Sequence, residues 1–469
     1  MTSQDQQVAA GAIVEDGTWL GRLQGELGGL LAPVFALARS RLAAFAYIGA
    51  LLAEPGDRRS CWQLAERAGH ATPRRMQALL AEYAWDWTAA LAALQRFILA
   101  RLGDPGAIVV LDETAELEKG DRTVGVARQH AGITGQVENC QTVVFAAYVT
   151  ARAYTLFDFR LYLPKQWCKD EQRRQRAHVP DDVEFATKPA LGTAMISAAA
   201  DAGAPFAWVV AGEVYGRSGK LREACEKDTK GYVVAVPVNF TVSLPSGRKT
   251  AVAAVARLVP ATACGPGCKG HRDYAWAWAA TASRRHWVLI RRSLTDPSDL
   301  AFSYCHSPRA GRGPCPPWSW SPGSGGPSKN ATSKARGKPD WTGTRSGPGP
   351  PSAATPSCRC CAQALLAIAA ARPAPPATQP PAASGTGQPQ AWRDTGKLPT
   401  TAGDQPPGDD PGLVKVSVPE ARRLLRLSTA PMTRAVRDLG HAWSRWRRRH
   451  QARARWHHYH TRLKATQVT

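Results

Sequence analysis

The chain has 469 residues, with 60 Lys and Arg against 37 Asp and Glu and a formal net charge of +23. That length allows two or three domains with a sizeable core, and the charge favours polyanions, nucleic acid first and anionic membrane second. No apolar run reaches the length of a bilayer span. The opening MTSQDQQVAAGAIVEDG lacks the basic, apolar and small-residue zones of a signal peptide. The 11 scattered cysteines, odd in number, suit reduced thiols in a cytosol rather than a disulfide framework.

Residues 1–104 form a first region, helical from about residue 20, where Ala, Leu and Arg dominate and apolar residues recur every three or four positions. Within it, DRRSCWQLAERAGHATPRRMQALL has the shape of a helix-turn-helix. Leu64, Ala65 and Ala68 would face inward, Gly69 would make the turn and Pro73 would open the next helix. The same pattern also describes a plain helical hairpin, so DNA contact and simple packing both stand as readings.

The texture changes at GAIVVLDET. Ile108, Val109, Val110 and Leu111 predict a buried strand that delivers the carboxylate of Asp112 to its C-terminal edge. Two strands around a turn at Ala151–Arg152 follow, then a helix over KPALGTAMISAAADAG and a strand in AWVVAGEVYG. Further strands in GYVVAVPVNF and HWVLIRRSL complete a region over 105–308. Strand, meander, helix and strand in this order predict a mixed α/β sheet with helices on its faces.

Apolar periodicity fails from about His306, and 309–361 predict an irregular segment rich in Pro, Gly and Ser. Residues 362–411 hold a short helical run, AQALLAIAAA, and a Pro-rich linker. Residues 412–469 predict a basic helical tail. There Arg445, Arg447, Arg448, Arg449, Arg453 and Arg455, interleaved with Trp and Tyr, suit phosphate contact by counterion release and base stacking. A solvated charged tail is the alternative.

The string LDETAELEKGDRTVGVARQHAGITGQVENCQ resembles the first catalytic block of DDE transposases of bacterial insertion sequences. LYLPKQW, VPDDVEFATKP, FAWVVAGEVYGRSGKLREACE, CKGHRDYAWAWAA and HWVLIRRSLTDPSDLAFSYCHSP continue the likeness in order, and WSRWRRRHQARAR resembles the family's C-terminus. The resemblance implies a ribonuclease-H-like catalytic domain over 105–308 with a β-rich insertion at about 231–300. It also implies Mg²⁺ held by acidic side chains, and double-stranded DNA partners in the form of element ends and target. The setting it implies is a bacterial cytoplasm and its nucleoid, with no membrane partner and room for an oligomer. The family cuts a phosphodiester at the element end and then attacks target DNA with the freed 3′ hydroxyl. Acids from separate elements hold two divalent ions about 4 Å apart for such chemistry.

Carried across by position, the first family Asp falls on Asp112. The second, in a string resembling Gly-Asp-Glu-Val-Tyr-Gly, falls on Gly212, with Glu213 as the nearest acid. The third, a Glu in a Trp-x-x-Glu-like string after CHSP, has no counterpart. The segment GPSKNA at Gly326–Ala331, written in GC-rich codons and read one base earlier, gives Trp-Ala-Val-Glu-Glu-Arg. GKPDWTGTRSG treated alike gives another string resembling the family, so 309–361 reads as the right DNA in the wrong frame. The expectation is an insertion-sequence transposase by descent with absent or severely reduced catalysis. The rival is a non-catalytic DNA-binding remnant.

Four further constellations have weaker readings. Cys264, Cys268 and His271 have ligand-like spacing but no fourth zinc partner in the sequence. Cys358, Cys360 and Cys361 fall in the segment read as out of frame. GRSGK at Gly216–Lys220 falls short of a phosphate loop, and Cys140 near His130 lacks any oxyanion feature.

Overall fold

The computed structural model describes residues 21–371 except 54–60, 257–262, 267–272, 309–359 and single positions at 84, 122, 133, 178, 297, 363, 366, 369 and 370. The predicted 412–469 tail and nearly all of the irregular segment and linker lie outside these residues. Gly21–Ile368 form one compact unit. Among the described residues no helix is long and apolar enough to cross a membrane.

The N-terminal region is helical, as its periodicity predicts. Helix α1 runs over 21–31, followed by α2 (Ala38–Ala53), α3 (Cys61–Arg67), α4 (Arg74–Ala81) and α5 (Trp87–Leu102). In the predicted hairpin, Leu64 and Ala65 are buried, and Gly69 takes a positive φ of 73° between α3 and α4. Gly69 N–H and His70 N–H donate to the carbonyls of Glu66 and Ala65, which closes the end of α3. Pro73 caps α4, as expected. The α5 start is fixed by Asp86, whose Oδ1 accepts from Ala89 N–H at 2.9 Å.

A ten-stranded sheet carries the rest. Its strands are β1 (Ile108–Leu117), β2 (Ala127–Ala131), β3 (Gln136–Val149), β4 (Tyr154–Tyr162), β5 (Trp208–Ala211), β6 (Gly231–Val236), β9 (Ala263–Pro266), β10 (Asp273–Ala280), β11 (His286–Ser293) and β12 (Leu300–His306). The order is β2-β3-β1-β5-β6-β12-β11-β10-β9, with β4 also on β3. The fourteen residues of β3 pair with β2 near one end and with β4 near the other. A small separate pair holds β7 (Thr241–Ser243) and β8 (Lys249–Ala251). The first part of the sheet is an antiparallel meander followed by two strands parallel to β1, as expected of a ribonuclease-H-like core.

Helices α6 (Lys165–Lys169), α7 (Glu171–Arg176) and α8 (Lys188–Asp201) lead from β4 to β5. Helices α9 (Glu213–Gly216) and α10 (Gly219–Lys227) make the crossover from β5 to β6, and α11 (Val252–Val255) lies in the insertion. Helix α8 begins where Thr187 Oγ1 accepts from Ala190 N–H at 3.2 Å. The chain reverses after it at Gly203, φ 72°.

Ile108, Val109, Val110 and Leu111 are each 1% exposed, because both faces of β1 are covered. Tyr148 locks the start of this strand by accepting from Asp104 N–H at 3.1 Å and donating to Pro205 O. The insertion has its own core, in which Val242, Val252, Val288, Ile290 and Phe302 pack with Val236 of β6. At the end of the segment expected to be irregular, Cys360 and Cys361 instead lie in a helix with Ala364, Leu365 and Ile368, all of them buried, because the helix of the apolar run AQALLAIAAA already begins there.

Two substitutions test this packing. A Cβ at Gly216 would lie 1.9 Å from the Ala235 carbonyl oxygen, which is backbone and cannot rotate away. Gly216→Ala should cost about 3 kcal/mol by forcing α9 off β6, measured by chemical denaturation. The second concerns Asp158 of β4, which is 3% exposed. Burial raises its carboxyl to about 6 against the opposing pull of Arg160. The folded state therefore binds the proton more tightly than the unfolded chain. Its contribution is fully present below the ordinary carboxylate pKa and is lost as pH rises through about 6. Asp158→Asn keeps the acceptor oxygen. It should match the parent at about pH 4 and exceed it by about 2–3 kcal/mol at pH 7.

Candidate active site

The sheet builds the site through register. Strands β1 and β5 run parallel, with Ile108 opposite Trp208 and Leu111 opposite Ala211. The next residue on each strand is Asp112 and Gly212. These two positions emerge side by side at the C-terminal edge, about one strand spacing, ~4.8 Å, apart. The predicted delivery of Asp112 to a strand end therefore holds for the parallel part of the sheet, although β1 itself continues to Leu117 against β3.

Asp112 is half-buried, and its Oδ1 accepts from Glu113 N–H at 3.0 Å. Its antiparallel partner is Phe145, which shares its face of the sheet. Phe145 packs on Phe159 with centroids 6.4 Å apart, and Phe159 packs on Trp87 of α5 at 5.9 Å. An aromatic floor thus lies behind the carboxylate.

Glu113 points to the opposite face, as strand alternation requires. There Lys188 Nζ, in the first turn of α8, lies 3.8 Å from Glu113 Oε1. The Tyr215 hydroxyl of α9 is buried beside it. Burial, then the carboxylates of Glu113 and Asp112, hold that phenol far above its ordinary range. Helix α8 reaches this close because residue 192 is glycine, where a Cβ would sit 2.9 Å from Leu111 Cδ1 and 3.1 Å from Tyr215 Cε1.

Gly212 has φ −72° and ψ 177°, an extended backbone open to any residue, and it caps α9. A Cβ there meets no atom within 4 Å. Glu213 is exposed, and its Oε1 lies 2.6 Å from Arg217 Nη2, one helical turn on. Asp112 is thus the carboxylate that the β1–β5 register sets beside Gly212. Two divalent ions repel each other and need several carboxylates to hold them, and among the described residues this edge places Asp112 beside Gly212.

Other sequence candidates separate. Cys140 is buried, its thiol donates to Gln129 O at 3.7 Å, and burial raises its pKa, which leaves no nucleophile for His130 to activate. Gly216–Lys220 is the junction of α9 and α10, where Ser218 Oγ accepts from Leu221 N–H at 3.3 Å. His271 and the side chains of Cys264 and Cys268 lie outside the described residues. So do Arg445, Arg447, Arg448, Arg449, Arg453 and Arg455 and the position expected for the third acid.

The family model of the DDE superfamily endonuclease matches residues 31–286, more than half of the chain. The chain belongs to the DDE superfamily endonucleases. It is also 25% identical over 202 residues to the "Probable transposase for insertion sequence element IS701" of Microchaete diplosiphon, over 43% of this chain and 50% of the relative. The chain therefore spans about half the length of that relative.

DDE superfamily endonucleases generally use divalent metal ions. Sequence reasoning did not single out Glu113, Lys188 or Tyr215. The signal was present, since Lys188 lies in the family-like string VPDDVEFATKP and Tyr215 in GEVYG. Their mutual packing, however, is a product of the fold. The open space at residue 212 gives a direct test. Gly212→Asp should fold normally, with stability within about 0.5 kcal/mol of the parent, because Asp suits an extended helix-capping position as well as Gly does. A loss of several degrees in Tm would show that the edge has closed.

Proposed function

We propose that this chain descends from an insertion-sequence transposase that hydrolyses a phosphodiester at element ends and joins the 3′ hydroxyl to target DNA. In its present form its catalysis is lost or severely reduced. The observation that carries this reading is the β1–β5 register, which sets Gly212 at the position beside Asp112 where the family carries its second Asp. Glu213 does not replace it, because its carboxylate is engaged with Arg217 on the surface. The third acid belongs to the segment that reads as family sequence in another frame.

DNA binding is part of the proposal. The net charge of +23, the basic tail and the α3–α4 hairpin support it. On α4, Arg75 is exposed, and Arg74 is paired with Glu82 and so partly neutralised. Magnesium would serve the family reaction once enough carboxylates are present, in a bacterial cytoplasm where the chain meets the nucleoid.

The test compares Mg²⁺-dependent nicking of DNA bearing the element ends by four proteins: the unaltered chain, Gly212→Asp, the chain with 309–361 restored to the other frame, and the double repair. Only the double repair should nick, and Asp112→Ala in that background should abolish the activity. All four should bind duplex DNA, with log affinity falling by about 0.9 per phosphate contact for each unit of log salt. Robust nicking by the unaltered chain, abolished by Asp112→Ala, would refute the proposal.

A further inference from the structure

A second constellation lies on the sheet away from Asp112. His286, His306 and Tyr232 form one cross-strand row over β11, β12 and β6. Paired residues share a face, so their rings stand together: His286 and His306 centroids are 4.9 Å apart, and His306 and Tyr232 centroids 5.3 Å. Tyr304, two residues before His306, stacks on His286 at 5.3 Å. The last turn of α10 adds Glu226 to this row. Glu226 Oε1 is 3.0 Å from His286 Nε2 and accepts from the Tyr232 hydroxyl at 2.9 Å.

We propose that Glu226, His286 and His306 form a binding site for a divalent first-row transition ion, with zinc as its probe, distinct from the DDE site. One ligand atom from each side chain lies within 4.8 Å of the others. A tetrahedral zinc ion wants donors roughly 3.3–3.5 Å apart, with a water completing the set. Small side-chain rotations close that gap, and Glu226, the exposed member of the three, has room for them once an ion replaces its contact with His286 Nε2. Two imidazoles and one carboxylate favour zinc-like ions over magnesium or calcium.

The atoms behind the ligands support the assignment. His306 Nδ1 lies 3.3 Å from the Lys230 carbonyl, a contact that only an N–H can make. In the neutral ring this leaves Nε2 with the lone pair a metal ion needs. His286 Nδ1 lies 2.8 Å from Ser283 Oγ. Without an ion, His286 Nε2 must carry the proton it shares with Glu226. When an ion binds Nε2, that proton can leave to solvent or be replaced by one on Nδ1, where Ser283 Oγ accepts it. Each histidine thus has a partner that fixes its outer nitrogen. The C-terminal end of α10 adds a favourable negative dipole.

Register separates this site from the DDE edge. Tyr232 pairs with Val209, and Val209 with Val109, three residues before Asp112 and two strands away. An ion here would tie α10 and β6 to β11 and β12.

The test uses the purified full chain, stripped with chelator and titrated with zinc by calorimetry, with thermal unfolding followed in parallel. The parent should bind one equivalent and gain Tm. Glu226→Gln and His306→Ala should each weaken binding about 10–100-fold and lose the Tm gain, while the Cys264→Ser/Cys268→Ser double variant should keep both. Cobalt provides a readout that does not depend on a variant folding, since ligation by nitrogen and oxygen gives a visible d–d band without thiolate charge transfer. No zinc uptake by the parent, thiolate charge transfer, loss of binding in the cysteine variant, or undiminished binding in Glu226→Gln would each overturn the proposal.

Discussion

The arrangement at the DDE edge depends on the parallel ladder between Ile108–Leu111 and Trp208–Ala211. Its hydrogen bonds decide which residue of each strand comes first past the parallel ladder. A slip of one residue would send Glu113 or Glu213 to the edge, and it would also turn the buried apolar faces of both strands outward. Burial of Ile108, Val109, Val110 and Leu111 on both faces makes that slip costly, so the register that sets Asp112 beside Gly212 holds. The fold is indifferent to the chemistry it positions.

The same logic explains where the neighbouring acids go. Glu113 is displaced to the other face by strand alternation and lies near Lys188. Glu213 begins a helix and finds Arg217 one turn later. In a strongly basic chain an acid that is not held by the site is readily taken up by a nearby cation. Moving either carboxylate to the edge would break its local pair and reorient a backbone whose hydrogen bonds are already made.

Much of the fold was legible because its signals are local. The apolar run before Asp112, the turn at Ala151–Arg152, the positive-φ Gly69 and the cap at Pro73 all act within a few residues, and their elements stand where the sequence predicts them. Asp112 and the glycine at 212 were legible through resemblance to a family, position by position. What was not legible depends on contacts distant in sequence. Lys188 reaches Glu113 only because Gly192 lets α8 approach β1. Glu226, His286 and His306 meet only through the pairing of β6, β12 and β11, and nothing in the spacing of those three residues announces it. The sequence instead drew attention to Cys264, Cys268 and His271, whose proximity along the chain is easy to see.

The way the insertion joins the core has a mechanical consequence. Strand β12 pairs directly with β6 from Phe302–Val236 to His306–Tyr232, and Val236 belongs to the insertion's own apolar cluster. One hydrogen-bonded lattice runs from β2 to β9. A load applied at β11 is therefore transmitted through β12 and β6 to β5, the strand that ends beside Asp112. The insertion behaves as a stiff lever rather than a hinged flap.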